Sequence, residues 1–208
     1  MRHWGRDILL DRRRLIACAA GLLVACPVLA ALPLTPPQTA GPFYPRIKPK
    51  DSDADLSVNS RQGGRASGDV IDITGRILSA RGGPIENAVV EIWQADAGGQ
   101  YLNQRNAEAA FQGYGAVNAG RSGSYRFRTI RPGAYGSGSF QRTPHIHFRV
   151  VTEAGQELVT QMYFPGQALN ETDVVLVGLG DDAARAAATA RTVPGQSPAK
   201  YEFDLVLA

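Results

Sequence analysis

The stretch Arg142-Thr143-Pro144-His145-Ile146-His147-Phe148-Arg149-Val150-Val151 contains a His-x-His pair inside a predicted strand. Residues 146–151 are β-branched and aromatic, which favours a strand. Side chains two apart on a strand point to one face, with their Cα atoms about 6.5–7 Å apart. His145 and His147 can therefore reach one metal ion while Ile146 faces the opposite side. Two ordinary hydrogen-bonded strand histidines would show the same pattern, and His3 is the one further histidine in the sequence.

The segments on either side also predict short strands joined by Gly- and Pro-rich turns. The predicted strands cover Val70–Leu78, Ala88–Ala95, Ser124–Ile130, Glu157–Phe164 and Tyr201–Leu207. The segment from Leu102 to Ser122 has no regular hydrophobic periodicity and predicts a long loop, and Ala183–Arg191 predicts a short helix. Many short strands with little helix indicate a β-sandwich or barrel. We predict an all-β fold for residues 69–208: a single-domain, mixed two-sheet β-sandwich, transthyretin-like (prealbumin-like), with long loops.

The first 31 residues have the composition of an export signal. Arg12-Arg13-Arg14 precede an uncharged apolar run from Leu15 to Ala31, and small residues end that run. The arginines followed by Leu15-Ile16 resemble a twin-arginine signal, and Leu23-Val-Ala-Cys26 resembles a lipoprotein box. We therefore expect an exported protein in the periplasm, the cell envelope or the extracellular space. A membrane tether through the apolar run or a lipid on Cys26 is the alternative.

The remainder has a balanced charge. Of 22 basic and 19 acidic residues, five arginines and two aspartates lie within residues 1–31, so the other 17 and 17 cancel. This balance gives no reason to expect a nucleic-acid partner. Both cysteines, Cys18 and Cys26, also lie in the first 31 residues, so a metal held by residues 32–208 needs His, Tyr, Asp or Glu ligands.

Residues 32–68 predict a Pro-rich arm followed by an irregular segment. Six prolines between Leu32 and Lys50 exclude a helix or a central strand there. We call residues 32–50 the arm. Phe43 and Tyr44 would be costly to leave in water, so the arm is expected to lie extended on the domain.

The residues alone leave the further metal ligands open. The nearest carboxylate after the histidines, Glu153, would lie about 20 Å along the strand, and no His-Glu-x-x-His motif occurs. Tyr101 and Tyr135 follow predicted strands, where sites collect. A phenol titrates near pH 10, so it ligates only a strongly acidic ion such as trivalent iron. Spacing does not favour these two over Tyr114 or Tyr125.

Five blocks of sequence then occur in a characteristic order: Gly82-Gly-Pro-Ile-Glu-Asn-Ala-Val-Val-Glu-Ile-Trp-Gln-Ala-Asp96, Gly99-Gln-Tyr101, Phe127-Arg-Thr-Ile-Arg-Pro-Gly-Ala-Tyr135, Arg142-Thr-Pro-His-Ile-His-Phe148 and Leu158-Val-Thr-Gln-Met-Tyr-Phe164. Together they resemble the intradiol ring-cleavage dioxygenases, most of all the protocatechuate 3,4-dioxygenase branch. The resemblance runs from about residue 38 to residue 173.

This resemblance implies a non-haem Fe(III) held by Tyr101, Tyr135, His145 and His147. Tyr101 matches the tyrosinate that stays bound, and Tyr135 matches the one that substrate displaces. The implied reaction uses O₂ to cleave a catechol-type ring between its two hydroxyl-bearing carbons, giving a cis,cis-muconate-type product.

Further residues carry over from the same resemblance. Arg142 matches an arginine beside the substrate ring, and Gln161 matches a nearby glutamine. Gln38 to Tyr44 resembles the family's N-terminal segment that walls the pocket. The predicted substrate-binding residues there are Thr39, Gly41, Pro42 and Tyr44, and a homo-oligomer is expected.

One departure concerns the segment Gly136-Ser-Gly-Ser-Phe-Gln141. It is shorter than in protocatechuate dioxygenase and lacks that branch's tryptophan and basic residue, which puts a carboxylated ring in doubt. Two alternatives stay open: a non-catalytic transthyretin-like or carboxypeptidase-regulatory-like binding module, and a zinc or copper enzyme using the same histidine pair.

Overall fold

The computed structural model describes residues 31–208, and strands dominate it. The nine strands are β1 Val70–Ser79, β2 Val89–Trp93, β3 Tyr114–Asn118, β4 Ser124–Ile130, β5 His145–Val151, β6 Glu157–Tyr163, β7 Arg191–Val193, β8 Ala199–Glu202 and β9 Leu205–Leu207. Two short helices, α1 Val174–Val177 and α2 Asp182–Ala187, and 3-10 turns at Gly138–Phe140 and Ala168–Glu171 complete the described elements. The predicted all-β architecture is confirmed, while its closer likeness to transthyretin stays a prediction.

The strands form two sheets with the main core between them. One sheet has the order β4-β1-β8-β7, with β9 also paired to β1, and it mixes parallel and antiparallel pairs. The other has the antiparallel order β3-β2-β5-β6. Buried side chains from both sheets make one apolar cluster, including Ile73, Phe127, Ile92 and Phe148.

Strand β5 lies inside the four-stranded sheet, between β2 and β6. Its residues Ile146, Phe148 and Val150 are fully buried in the main core. Each such side chain contributes roughly 1.5–3 kcal/mol through burial. Because strand side chains alternate, this burial directs His145 and His147 to the opposite face, which we call the outer face.

Three sequence-based predictions need correction. The predicted helix Ala183–Arg191 corresponds to α2, which ends at Ala187, and Arg191 instead begins β7.

The predicted loop from Leu102 to Ser122 contains β3. The strand shows no apolar alternation because Gly115 occupies a core position. A Cβ on Gly115 would lie 2.6 Å from both the Asp53 carbonyl oxygen and Leu56 Cδ1, so only a glycine fits.

The predicted strand Tyr201–Leu207 is interrupted at Phe203-Asp204, between β8 and β9. The Asp204 carboxylate, rather than a backbone carbonyl, accepts the Arg76 N–H there, at 2.8 Å. A side-chain acceptor in place of a ladder bond cannot be recognised from apolar alternation.

The arm runs along the edges of both sheets. Its backbone donates from Thr35 to Val206 (3.0 Å) and from Gln38 to Val159 (2.8 Å). The arm then crosses the outer face of the four-stranded sheet, where Phe43 and Tyr44 pack on the second apolar cluster, around Trp93.

The predicted export signal, its twin-arginine pattern and Cys26 lie outside the described residues. Within residues 31–208, no helix has the length and apolar character that a membrane crossing requires.

Candidate metal centre

Four aromatic rings converge on the outer face of the four-stranded sheet. His145 and His147 project from β5, with their ring centroids 4.9 Å apart. Tyr101 follows β2 and Tyr135 follows β4, and each brings its hydroxyl to the first histidine. The Tyr101 and Tyr135 oxygens lie 3.4 Å and 3.5 Å from His145 Nε2. The structure therefore brings together all four predicted metal ligands.

The two tyrosine-bearing loops meet through glycines. A Cβ on Gly99 would lie 2.5 Å from the Ala134 carbonyl oxygen, and one on Gly133 would lie 2.4 Å from the Ala97 carbonyl oxygen. The Gly133 N–H donates to the Asp96 carbonyl oxygen at 2.8 Å. This close backbone approach sets the Tyr101–Tyr135 centroid distance of 5.4 Å.

The Asp96 side chain holds the first of these loops in shape. Its Oδ1 accepts the N–H groups of Gly98 and Gln100, both at 2.9 Å, and its Oδ2 accepts the Glu108 N–H at 2.9 Å. Tyr101 itself is fixed by its backbone N–H, which donates to Gln104 Oε1 at 2.6 Å.

Both histidines are set up as neutral ligands. His145 Nδ1 lies 2.7 Å from the Thr143 carbonyl oxygen, so this nitrogen carries the proton and Nε2 keeps its lone pair. Burial, assisted by the positive charge of Arg142, lowers the pKa of His145 to about 4. Burial also holds the pKa of His147 well below its usual value, with His145 adding to the effect. Within residues 31–208, the buried His147 Nδ1 has no hydrogen-bond partner.

The two tyrosines differ in exposure. Tyr101 is 3% exposed, and burial, together with the nearby Tyr135, raises its pKa far above the usual value for a phenol. Tyr135 is half-buried and lies on the solvent side. Ionisation of Tyr101 therefore requires a strong positive charge within bonding distance.

This donor set fits a trivalent ion. Two ligands about 2.0–2.2 Å from one ion are about 3–3.5 Å apart, which matches the two O···N distances of 3.4 and 3.5 Å. Ordinary hydrogen bonds between such atoms are shorter. The described part of the chain holds no cluster of three or more His, Cys, Asp or Glu side chains that could bind a metal. A carboxylate-rich zinc site is therefore not formed by these residues.

Arg142 is clamped at the edge of the same group of rings. Its Nε lies 2.9 Å from Asp173 Oδ2, and its Nη2 donates to Gln161 Oε1 at 2.6 Å. Asp173 is fully buried, and its other oxygen caps α1 by accepting two backbone N–H groups at 3.0 Å. Backbone hydrogen bonds between Tyr135 and Arg142 hold the guanidinium beside the half-buried tyrosine.

The arm forms one wall of the site. Phe43 stacks on Tyr101, with centroids 4.3 Å apart and planes 13° apart. A Cβ on Gly41 would lie 3.6 Å from His147 Cε1. The Thr39 carbonyl oxygen accepts a hydrogen bond from Gln161 Nε2 at 3.0 Å. Of the other two predicted substrate-binding residues, Pro42 is exposed, and Tyr44 packs on Trp93 rather than on a ligand ring.

Sequence reasoning missed several residues that support the site: Trp93, Asp96, Asp173 and Tyr163. Trp93 lies opposite His147 in register and stacks on it at 4.8 Å. The Tyr163 hydroxyl donates to Gln38 Oε1 at 2.9 Å. Strand pairing could have suggested Trp93, since it shares a face with the histidines, but no local pattern points to Asp173.

Comparison with known proteins shows the family of the chain. The model of the Dioxygenase family matches residues 39–208. The chain is 39% identical over 168 residues to the protocatechuate 3,4-dioxygenase beta chain of Burkholderia cepacia, which covers 74% of this chain and 71% of the relative. This chain belongs to the intradiol ring-cleavage dioxygenase family. Members of this family use non-haem Fe(III).

Two further dioxygenases are similar to this chain. A 6-chlorohydroxyquinol 1,2-dioxygenase of Cupriavidus pinatubonensis is 30% identical over 155 residues, which cover 68% of this chain and 54% of that protein. This chain thus spans about half of that relative's length. The solved dioxygenase domain of a dioxygenase and carbohydrate-binding fusion from Streptomyces sp. SirexAA-E aligns with a TM-score of 0.65 and 29% identity, over 84% of this chain and 98% of that one.

Proposed function

We propose that this protein is a non-haem Fe(III) intradiol dioxygenase that cleaves a catechol-type ring between its hydroxyl-bearing carbons, with O₂ as co-substrate. The observation that carries the proposal is the convergence of two phenols and two neutral imidazoles, with both phenol oxygens within 3.5 Å of His145 Nε2. The binding-module alternative is not favoured, because it assigns no role to this buried group of four potential ligands.

Fe(III), when bound, acts as a Lewis acid towards the catechol oxygens and makes the ring reactive towards O₂. Tyr101 and Tyr135, each ionised to a phenolate, would lower the net charge of the buried site by two. This reduces the free-energy cost of burying a trivalent ion. Tyr101, buried beneath Phe43, is the permanent ligand in this proposal. Tyr135 is half-buried and beside Arg142, so it would be the exchangeable ligand, and its phenolate oxygen would accept a proton from the substrate hydroxyl.

Arg142 and Gln161 would act on the bound ring. The guanidinium stays cationic because Asp173 raises its pKa, although burial by itself would lower it. A fixed cation beside the ring stabilises negative charge that develops there. Gln161 is fully buried between Arg142 and the Thr39 carbonyl, so it links the arginine to the arm.

For the substrate, we propose a catechol without a ring carboxylate. The Arg142 guanidinium already uses its donors on Asp173 at 2.9 Å and on Gln161 at 2.6 Å, and residues 136–141 offer no basic side chain to pair with a ring carboxylate. We expect kcat/KM for catechol to exceed that for protocatechuate at least tenfold. Equal values for the two substrates would contradict this preference.

The reaction is tested with purified protein loaded with Fe(III). Tyrosinate-bound Fe(III) absorbs visible light, so a red-brown protein is expected, and catechol with O₂ should give a ring-opened muconate identified by mass spectrometry. His147→Ala is the matched control, because it removes a predicted ligand from the outer face and leaves the main core untouched. A colourless, iron-free preparation would favour the binding module or the other metalloenzyme, and preferential binding of zinc or copper would favour the metalloenzyme.

We also propose export and self-association. The twin-arginine route carries folded proteins, and a site with ligands from residue 101 to residue 147 exists only after folding. Arg12→Lys combined with Arg13→Lys keeps both charges, so we expect it to leave iron-loaded protein in the cytoplasm. Equal delivery of the variant and the parent to the cell envelope would contradict this route. Light scattering of the purified protein tests for the proposed homo-oligomer.

A further inference from the structure

Glu91 lies at the centre of a second polar cluster on the outer face, beside Trp93. It is 7% exposed. Its Oε1 accepts a hydrogen bond from the Tyr114 hydroxyl at 2.9 Å. Its Oε2 accepts from the Tyr44 hydroxyl at 2.7 Å, Lys48 Nζ at 3.1 Å and Arg149 Nη1 at 3.3 Å. The predicted metal site uses none of these contacts.

The arm supplies two of the three donors to Glu91 Oε2, namely Tyr44 and Lys48. The third donor, Arg149, has a second partner in Glu157 at 2.8 Å. Within residues 31–208, Lys48 forms an ion pair with Glu91 and no other carboxylate. If the arm left the sheet, the buried Oε2 would lose two of its three partners. Arg149 and Tyr114 would remain, but the loss of Lys48 and the Tyr44 hydroxyl removes two charge-assisted contacts from one carboxylate oxygen, so Glu91 favours the docked arm.

The docked arm in turn contacts one predicted ligand directly and reaches a second through Trp93. Phe43, next to Tyr44 in sequence, stacks on Tyr101 at 4.3 Å. The Tyr44 ring meets Trp93 edge-on at 4.7 Å, and Trp93 stacks on His147 at 4.8 Å with planes 9° apart. Each contact is a close aromatic pair. Displacement of the arm would uncover one face of Tyr101 and would remove Tyr44 from Trp93, the residue that stacks on His147.

We propose that Glu91 is a positioning residue that holds the arm on the outer face and thereby keeps Tyr101 and His147 oriented for the metal. Glu91 acts through Tyr44 and Lys48 and touches neither ligand. This inference rests on the proposed function for its kinetic consequences only, since docking of the arm can be measured without any substrate.

Arm docking is measured by limited trypsin digestion of the iron-loaded protein. Arg46-Ile47 is a trypsin site in the exposed part of the arm, whereas Lys48 is followed by Pro49, which blocks cleavage. Trypsin binds an extended segment on both sides of the bond, so cleavage requires Tyr44 and Lys48 to leave Glu91. When opening is fast, the cleavage rate follows the population of the open form. We expect Glu91→Gln to speed cleavage at Arg46-Ile47 about tenfold. Glu157→Gln is the matched control, because it makes the same change at the other partner of Arg149, and its rate should equal that of the parent.

A double-mutant cycle separates positioning from general destabilisation. Tyr44→Phe and Glu91→Gln should each speed cleavage. The combination should be no faster than Glu91→Gln alone, because both substitutions act on the same hydrogen bond between Tyr44 and Glu91. Lys48→Met provides a second test should Glu91→Gln fold poorly, and it should speed cleavage at least threefold. Multiplicative effects in the double variant, or an unchanged rate in Lys48→Met, would overturn the proposal.

Two readouts connect the arm to the site. Iron loss to a chelator should accelerate in the same order as trypsin cleavage, and KM for catechol should rise at least threefold while kcat changes less. Iron loss that is unchanged in Glu91→Gln despite faster cleavage would overturn the positioning role. If the parent protein cleaves no catechol, the proposed function fails, while the digestion and chelator results still decide the role of Glu91.

Discussion

Replacing Gly133 with alanine should separate the two loops that carry Tyr101 and Tyr135. The added Cβ would lie 2.4 Å from the Ala97 carbonyl oxygen and 2.7 Å from the Gly99 nitrogen. Both neighbours are backbone atoms, so the clash is relieved only by moving one loop. Overpacking of this kind costs about 1–3 kcal/mol, and the upper end applies because no flexible side chain can yield.

Two other glycines separate the sources of the cost. Gly180 has a φ of +84° and open space around it, so Gly180→Ala tests backbone strain alone, about 1–2 kcal/mol. Gly99 has a φ of +79° and a contact of 2.5 Å with the Ala134 carbonyl oxygen. Gly99→Ala therefore combines both effects and should cost about 2–5 kcal/mol.

The assays are urea unfolding and iron content. With a slope of about 1–3 kcal/mol per molar urea, Gly133→Ala should lower the unfolding midpoint by about 1 M or more. It should also lose iron, because the tyrosine oxygens no longer meet at His145. Gly180→Ala should keep its iron. The reasoning is refuted if Gly133→Ala is as stable as the parent, or if it retains full iron despite its lower stability.

Further predictions concern individual site residues. Alanine at His145 or His147 should abolish tight iron binding, since one imidazole and two phenols leave an incomplete site; full iron occupancy in both variants would contradict the ligand assignment. Tyr135→Phe should keep part of the iron and the visible colour, whereas Tyr101→Phe should lose more of both, and the reverse order would exchange the two roles. Asp173→Asn should lower kcat at least tenfold by releasing the guanidinium it holds at 2.9 Å, with iron content, measured by metal analysis, unchanged.

The local sequence by itself determined which strand side chains share a face and which family the chain resembles. Strand periodicity is a nearest-neighbour property, so the alternation from His145 to Val151 determined which side chains share a face, and the core burial of Ile146 and Phe148 agrees with it. The ordered blocks around the histidines were specific enough to identify the family. The same reasoning did not detect β3. Its Gly115 is required by close contacts with Asp53 and Leu56, which are far away in sequence.

The physical reason why Tyr101 and Tyr135, rather than other tyrosines, lie at the site is found only in the tertiary structure. Spacing did not separate Tyr101 and Tyr135 from Tyr114 and Tyr125, and the family resemblance alone singled them out. In the folded chain, the Tyr114 hydroxyl donates to Glu91 and the Tyr125 hydroxyl donates to the Phe203 carbonyl, so both are committed elsewhere. Tyr101 and Tyr135 meet His145 because two glycine-containing loops pack backbone to backbone. Such contacts join residues distant in sequence and leave no periodic signal along the chain. Strand alternation, by contrast, depends on neighbouring residues and can be read from local sequence.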